Sequence, residues 1–174
     1  MASDMDQQLS APDRVRAALT AAGVEARIQE FGASTRTAQE AAEAIGTSVG
    51  QIVKSLVFIA GGAPVLALVS GVNRLDPVRL GSLTGTSTSR ADANAVREAT
   101  GFAIGGVPPV GFAAPILTYV DRDLMQYGIV WAAAGTPRHV FPITPAELQR
   151  VTGGTVVDLK KDPPLLTPQT LASH

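Results

Sequence analysis

Hydrophobic positions along this chain change period several times, and each change marks an element. Val15, Ala18, Leu19 and Ala22 recur at helical spacing behind Ser10-Ala11-Pro12-Asp13. Ser10 is placed to cap that helix, Pro12 stands in its first turn and Gly23 ends it. Residues 24–31 alternate, with Val24, Ala26, Ile28 and Glu30 on one face, which predicts a strand. Residues 37–45 predict a second helix stopped at Gly46, and residues 48–53 one further helical turn. Residues 54–60 and 64–70 predict two strands joined by the hairpin signal Gly61-Gly62. Asp76-Pro77 opens a short helix through Leu80, and residues 91–100 form another that stops at Gly101. Residues 116–121 and 129–134 read as buried strands, followed by a short segment at 138–143. Thr144-Pro145-Ala146-Glu147 has the form of a capping box at a final helix, and residues 155–159 predict a last strand.

Helices and strands interleave, yet no glycine fingerprint follows the first strand. This favours α/β architecture of the mixed α+β kind, with a mixed, largely antiparallel sheet and packed helices, over a doubly wound fold. One domain is expected over 11–159, between a flexible N-terminus at 1–10 and a C-terminal tail at 160–174 that carries three prolines and no periodicity. A length of 174 residues, 45% hydrophobic and 17% charged, fits one globular core. No apolar run reaches the roughly 18 residues of a membrane span, and no signal-peptide pattern opens the chain, so a cytoplasmic protein with no membrane partner is expected.

The absence of cysteine removes disulfides, thiolate catalysis and cysteine-held metal. Of the two histidines, His174 is terminal, so a histidine-based metal site or triad would rest on His139 alone. A net charge of −1 gives no global basic field. A nucleic acid would have to be held by a local patch, or only by its end.

Lys54 is the one lysine of three inside a hydrophobic stretch. It either snorkels its head to water or anchors an anion or oxyanion. Gly105-Gly106-Val107-Pro108-Pro109 is either a tight surface turn or a backbone site, where glycines let the main chain approach a ligand and prolines stiffen it. Ala134-Gly135-Thr136-Pro137 ends a buried strand as a turn or as a pocket wall. Asp121 caps a turn or faces a ligand, and Arg90 and Arg97 are surface charges or phosphate contacts. His139 reads as a half-buried strand histidine.

In order and spacing, these segments resemble the YbaK / prolyl-tRNA synthetase-associated editing domain. The likeness is carried by Gln51-Ile52-Val53-Lys54-Ser55-Leu56, Thr100-Gly101-Phe102, Gly105-Gly106-Val107-Pro108-Pro109-Val110-Gly111, Asp121 and Ala134-Gly135-Thr136-Pro137, and it extends from about Val15 to Leu159. The resemblance implies one domain with a mixed, barrel-like sheet. It implies a free-standing enzyme that hydrolyses the ester of a wrong amino acid on tRNA, in trans. The family's lysine maps onto Lys54, and its glycine loop onto Gly105, Gly106 and Pro108. The implied catalytic residues are Lys54 and Gly106. The implied substrate-binding residues are Phe31, Ser55, Gly105, Val107, Pro108, Asp121, Gly135, Thr136 and Pro137. Lys54 would hold the terminal-adenosine phosphate or the ester carbonyl. N–H groups at Gly105 and Gly106 would orient the carbonyl and α-amino group, while Gly135 and Thr136 close the pocket. The substrate's own ribose hydroxyl would assist the attacking water, with no metal and no cofactor.

The implied partner is the acceptor end of a mischarged tRNA, with a synthetase or elongation factor as the candidate for delivery. Oligomeric state is left open. Two positions depart from the branch that clears cysteine from tRNA(Pro). Phe31 replaces a tyrosine, and Val140 stands near an aspartate. The Gly135-Thr136-Pro137 turn is more similar to the branches that clear alanine or other small residues, and a small residue such as alanine or cysteine is the expected cargo. Two rival readings stay open, a non-catalytic binding module for an aminoacyl-adenosine or nucleotide, and a Schiff-base lysine enzyme.

Overall fold

The computed structural model describes residues 9–162; the predicted flexible N-terminus up to residue 8 and the predicted tail from residue 163 lie outside them. Helix α1 (Ala11–Ala21) starts where Ser10 Oγ accepts from Asp13 N at 3.2 Å, and it buries Val15 and Leu19. The strand expected at 24–31 is reduced to β1 (Gln29–Glu30), paired with residues 139–140. Val24, Ala26 and Ile28 pack on the main core without a strand partner. Their alternation reports burial, which does not require a ladder.

Helix α2 (Ala38–Ile45) is capped by Thr37, whose hydroxyl accepts from Glu40 N at 3.0 Å. A 3₁₀ turn (Val49–Gln51) leads into β2 (Val53–Ala60), which pairs antiparallel with β3 (Ala63–Ser70). Their turn holds Gly61 and Gly62 at φ 57° and 82°, the positive values that a two-residue hairpin turn requires. Helix α3 (Pro77–Thr84) runs one turn beyond Leu80. Strand β4 (Thr88–Arg90) was not foreshadowed by the sequence pattern, and α4 (Ala93–Thr100) follows it. After an irregular stretch come β5 (Leu117–Asp121), a 3₁₀ turn (Arg122–Gln126), β6 (Val130–Ala133) and β7 (His139–Ile143). Helix α5 (Pro145–Thr152), capped by Thr144, and β8 (Thr155–Val157) complete the order. Among the described residues no helix is long and apolar enough to cross a membrane.

Two sheets form, one in the order β4-β2-β3-β5-β8 and one in the order β1-β7-β6. The pairs β3–β5 and β5–β8 are parallel and the other ladders antiparallel, so the sheet is mixed as expected. It is not a closed barrel. The two sheets meet at one isolated bridge, Ile52 with Trp131. The reason lies in how β2 shares its outer edge. Strand β4 occupies the end of that edge at Phe58–Ala60, and β6 touches only its start. The stretch between them is left open.

Two hydrogen bonds fix which groups face the opening. Gly71 N donates to Ile52 O, so even-numbered β2 residues bond toward β3; Ala91 N donates to Val57 O, so odd-numbered residues bond toward the outer edge. The main-chain N–H and C=O of Ser55 are therefore directed into the gap. Side chains alternate as well. Val53 and Val57 join the main core, and Phe58 and Ala60 join a second core on the other face with Leu80 and Leu159. Lys54 belongs to that second face by position.

Candidate functional site

The gap between β2 and β6 is a cavity of about 590 Å³. Residues 53–56 form one side and Trp131 and Ala133 the other. Residues 35–39 before and within α2, the loop residues Ile104, Gly105 and Val107, and Thr136 and Pro137 complete the wall, with Thr35 N and Oγ1 both donating to Pro137 O at 3.0 Å. The volume falls within the roughly 300–1,000 Å³ of small-molecule sites.

Six of the residues expected to form a site line this space: Lys54, Ser55, Gly105, Val107, Thr136 and Pro137. Five do not. Gly106 is buried behind the lining, and its N–H donates to Ala103 O at 3.1 Å. It is not available to polarise a substrate carbonyl. Glycine is required there for closeness, because a Cβ would stand 2.5 Å from Thr136 Cα. Gly135 sits behind the same turn at φ 97° against Ala11. Pro108 is buried beyond the loop. Phe31 lies outside the lining; its N–H donates to Arg138 O at 2.7 Å and its carbonyl accepts from the Arg138 guanidinium. Asp121 is 1% exposed, and its carboxylate already accepts from Ser70 N at 3.0 Å, Asn73 Nδ2 at 2.8 Å and Asp123 N at 2.9 Å. It supports the site from beneath and does not line it.

The Lys54 ammonium neither reaches bulk water freely nor stands unpaired. Nζ donates to Asn73 O. Burial pushes this lysine below its ordinary 10.5; Asp121 works in the opposite sense, and Arg74 and Arg90 add to the lowering. Lys54 itself lines the cavity, as does Gly71, two residues before Asn73. Among the described residues the buried Ser55 hydroxyl has no hydrogen-bond partner. A buried orphan hydroxyl carries a penalty of about 1–3 kcal/mol, which a ligand or a rotamer change can relieve.

Three features beyond the expected site residues belong to the cavity; the sequence marks His139 as a half-buried strand histidine and Arg90 as a surface charge or phosphate contact, and does not mark Trp131 or Arg36. His139 lines the cavity, with Nδ1 hydrogen-bonded to Thr136 Oγ1, and that oxygen also accepts from Arg138 N at 3.1 Å. Trp131 lines it from β6, and Arg36 and Arg90 stand at its rim, exposed. Among the described residues neither arginine has a carboxylate within ion-pair distance, in contrast to Arg16, Arg27, Arg79, Arg122, Arg138 and Arg150. No local signal in the sequence brings Arg36, beside the cap of α2, to the edge of β2. Among the described residues no three His, Asp or Glu side chains gather as metal ligands.

Comparison with known proteins fits this geometry. The profile of the aminoacyl-tRNA editing domain family matches residues 33–151. The uncharacterized protein YwhH of Bacillus subtilis (strain 168) is 34% identical over 137 residues, 78% of this chain and 87% of that protein. EbsC of Enterococcus faecalis, named as a candidate Cys-tRNA(Pro)/Cys-tRNA(Cys) deacylase, is 26% identical over 125 residues, 71% of this chain and 76% of that protein. A solved structure described as a candidate trans-editing enzyme for prolyl-tRNA synthetase superposes with a TM-score of 0.85 at 52% identity, covering 89% of this chain and all of that one. With its profile match over most of the fold and its cavity at the seam of the two sheets, the chain belongs to the aminoacyl-tRNA editing domain family.

Proposed function

We propose that the chain hydrolyses, in trans, the ester that joins a wrongly attached small amino acid to the terminal adenosine of tRNA. The observation that carries this reading is the seam cavity, lined by an open strand edge, Lys54 and two arginines that have no carboxylate partner among the described residues, in a member of an editing family. Water attacks the ester carbonyl carbon, negative charge gathers on the carbonyl oxygen, and the bond to the ribose oxygen breaks. The ribose oxygen leaves with a proton, and the free amino acid departs. The neighbouring ribose hydroxyl of the substrate orients the water, and the protein supplies placement and charge.

The geometry supports the following residue roles. Gly106 shapes the wall, and the Ser55 main-chain N–H, directed into the gap, takes the part of oxyanion donor. Lys54, held by the Asn73 carbonyl, supplies a fixed positive charge to the ester carbonyl or the terminal phosphate. Arg36 and Arg90 at the rim meet the phosphates of the acceptor end, which accommodates a chain of net charge −1 binding RNA by its tip alone. Val140, Thr136 and Pro137 form a compact, uncharged wall. A wall of that kind suits alanine- or cysteine-sized cargo, with each extra methylene worth about 1–3 kcal/mol. Delivery by a synthetase or elongation factor would supply the affinity that so small a footprint lacks.

A deacylation panel of Ala-tRNA(Pro), Cys-tRNA(Pro) and Ser-tRNA tests the proposal. Release of free amino acid from at least one of them, at catalytic protein concentration and well above the spontaneous rate, is expected. Esters that persist or are protected across the panel would refute hydrolysis and leave a binding module.

A further inference from the structure

The loop between β3 and α3, residues 71–76, holds the Lys54 ammonium through one carbonyl, that of Asn73. The side chain of the same residue is unusually committed. Asn73 Nδ2 donates to Asp121 Oδ2 and to Asp123 Oδ2, each at 2.8 Å. An amide nitrogen has two hydrogens, and here each meets a different carboxylate. A neutral donor thus separates two anions and fixes its own backbone relative to both.

Asp121 is itself immobilised by Ser70 N and Asp123 N. The other flank of the loop is tied to the C-terminal segment. Asp76 N donates to Leu159 O at 2.8 Å, Lys161 N donates to Arg74 O at 2.7 Å, and Leu75 bridges Lys160. Lys160 Nζ lies 3.4 Å from Asp123 Oδ2. The loop cannot slide without breaking several of these bonds.

We infer that Asn73 is a positioning residue, whose carboxamide locks the 71–76 loop so that its carbonyl holds Lys54 in a working position. The inference rests on the proposed role of Lys54 in deacylation. A lysine stem carries about 2 kcal/mol of rotamer entropy, and a rigid carbonyl partner removes that freedom before substrate arrives. The charged groups that act on Lys54 are Asp121 at the end of β5, Arg74 in the loop and Arg90 on β4. Asn73 sets the distance to the first of them.

The test uses Asn73→Ala and the isosteric Asn73→Asp, which keeps the volume and loses the donors. Steady-state deacylation is measured alone and in a double-mutant cycle with Lys54→Ala, alongside an NMR pH titration of Lys54 Nζ. Both Asn73 variants should lose roughly 10- to 100-fold in kcat, with KM little changed. In the Lys54→Ala background neither should lose more. In Asn73→Ala, which adds no charge, the Lys54 titration midpoint should move up toward the ordinary lysine value as the freed ammonium reaches water. Additive losses in the cycle, or an unmoved Lys54 titration in folded Asn73→Ala, would overturn the inference. Wild-type protein that deacylates nothing would instead refute the proposed function, and the titration would still decide whether Asn73 holds Lys54.

Discussion

Replacing Gly106 by alanine adds a Cβ 2.5 Å from Thr136 Cα, 2.7 Å from Thr136 N and 2.8 Å from Gly135 C. Carbon atoms pack at about 3.5–4.0 Å, so the overlap is roughly 1 Å. All three neighbours are main-chain atoms, and no rotamer change relieves the contact. The turn at 135–137 must move. It carries Thr136 and Pro137, which line the cavity, and Thr136 holds His139 Nδ1. Overpacking of this kind costs about 1–3 kcal/mol. For a chain of this length that lowers the melting temperature by roughly 2–12 °C. A wall displaced by about 1 Å costs on the order of 100-fold in rate. Thermal unfolding by calorimetry and steady-state deacylation would measure the two effects separately. Wild-type melting together with wild-type turnover would refute the claim that the two glycine loops brace one another.

Four further outcomes are expected. The Lys54 ammonium titrates below 10.5, so kcat/KM should fall on the alkaline side before an ordinary lysine would lose its proton, and Lys54→Arg should abolish that limb. The sign for stability is opposite: with the folded value below the unfolded one, Lys54 binds fewer protons when folded, and its contribution to stability rises with pH between the two values, as a chemical-denaturation series would record. Ser55→Ala removes a buried hydroxyl without a partner, so the melting temperature should rise by about 2 °C or more, while the main-chain N–H survives and kcat stays within roughly tenfold; a collapse of kcat would make the hydroxyl the donor. Arg36→Gln and Arg90→Gln should each flatten the dependence of log affinity on log salt by about 0.7, measured by filter binding of tRNA, and an unchanged slope would remove that arginine from the phosphate path.

Much of the fold was legible because its signals are local. Ser10, Thr37 and Thr144 cap their helices with hydrogen bonds that span three residues, and Gly61-Gly62 makes its turn from its own dihedral angles. The alternation at 24–28 misled because packing of alternate residues on the core produces the same pattern as a strand. Strand β4 escaped notice because three residues, Thr88–Arg90, are too few to show a period, and the hydrogen bonds that define it come from β2.

The chain by itself determined that Lys54, Ser55 and two glycine loops occur in an order that resembles an editing domain, because order and residue type are properties of a line. The tertiary structure alone decided where each of them sits and which groups it meets. The edge of β2 is contested by β4 and β6, partners that start about 35 and 77 residues beyond its own first residue, and the cavity is the stretch that neither one covers. The same packing assigned the Gly106 N–H to Ala103, put Asp121 out of reach beneath the site, and brought Arg36 and Arg90 to the rim. Hydrogen-bond partners and shared strand edges are settled between segments distant in sequence, and no local pattern encodes them.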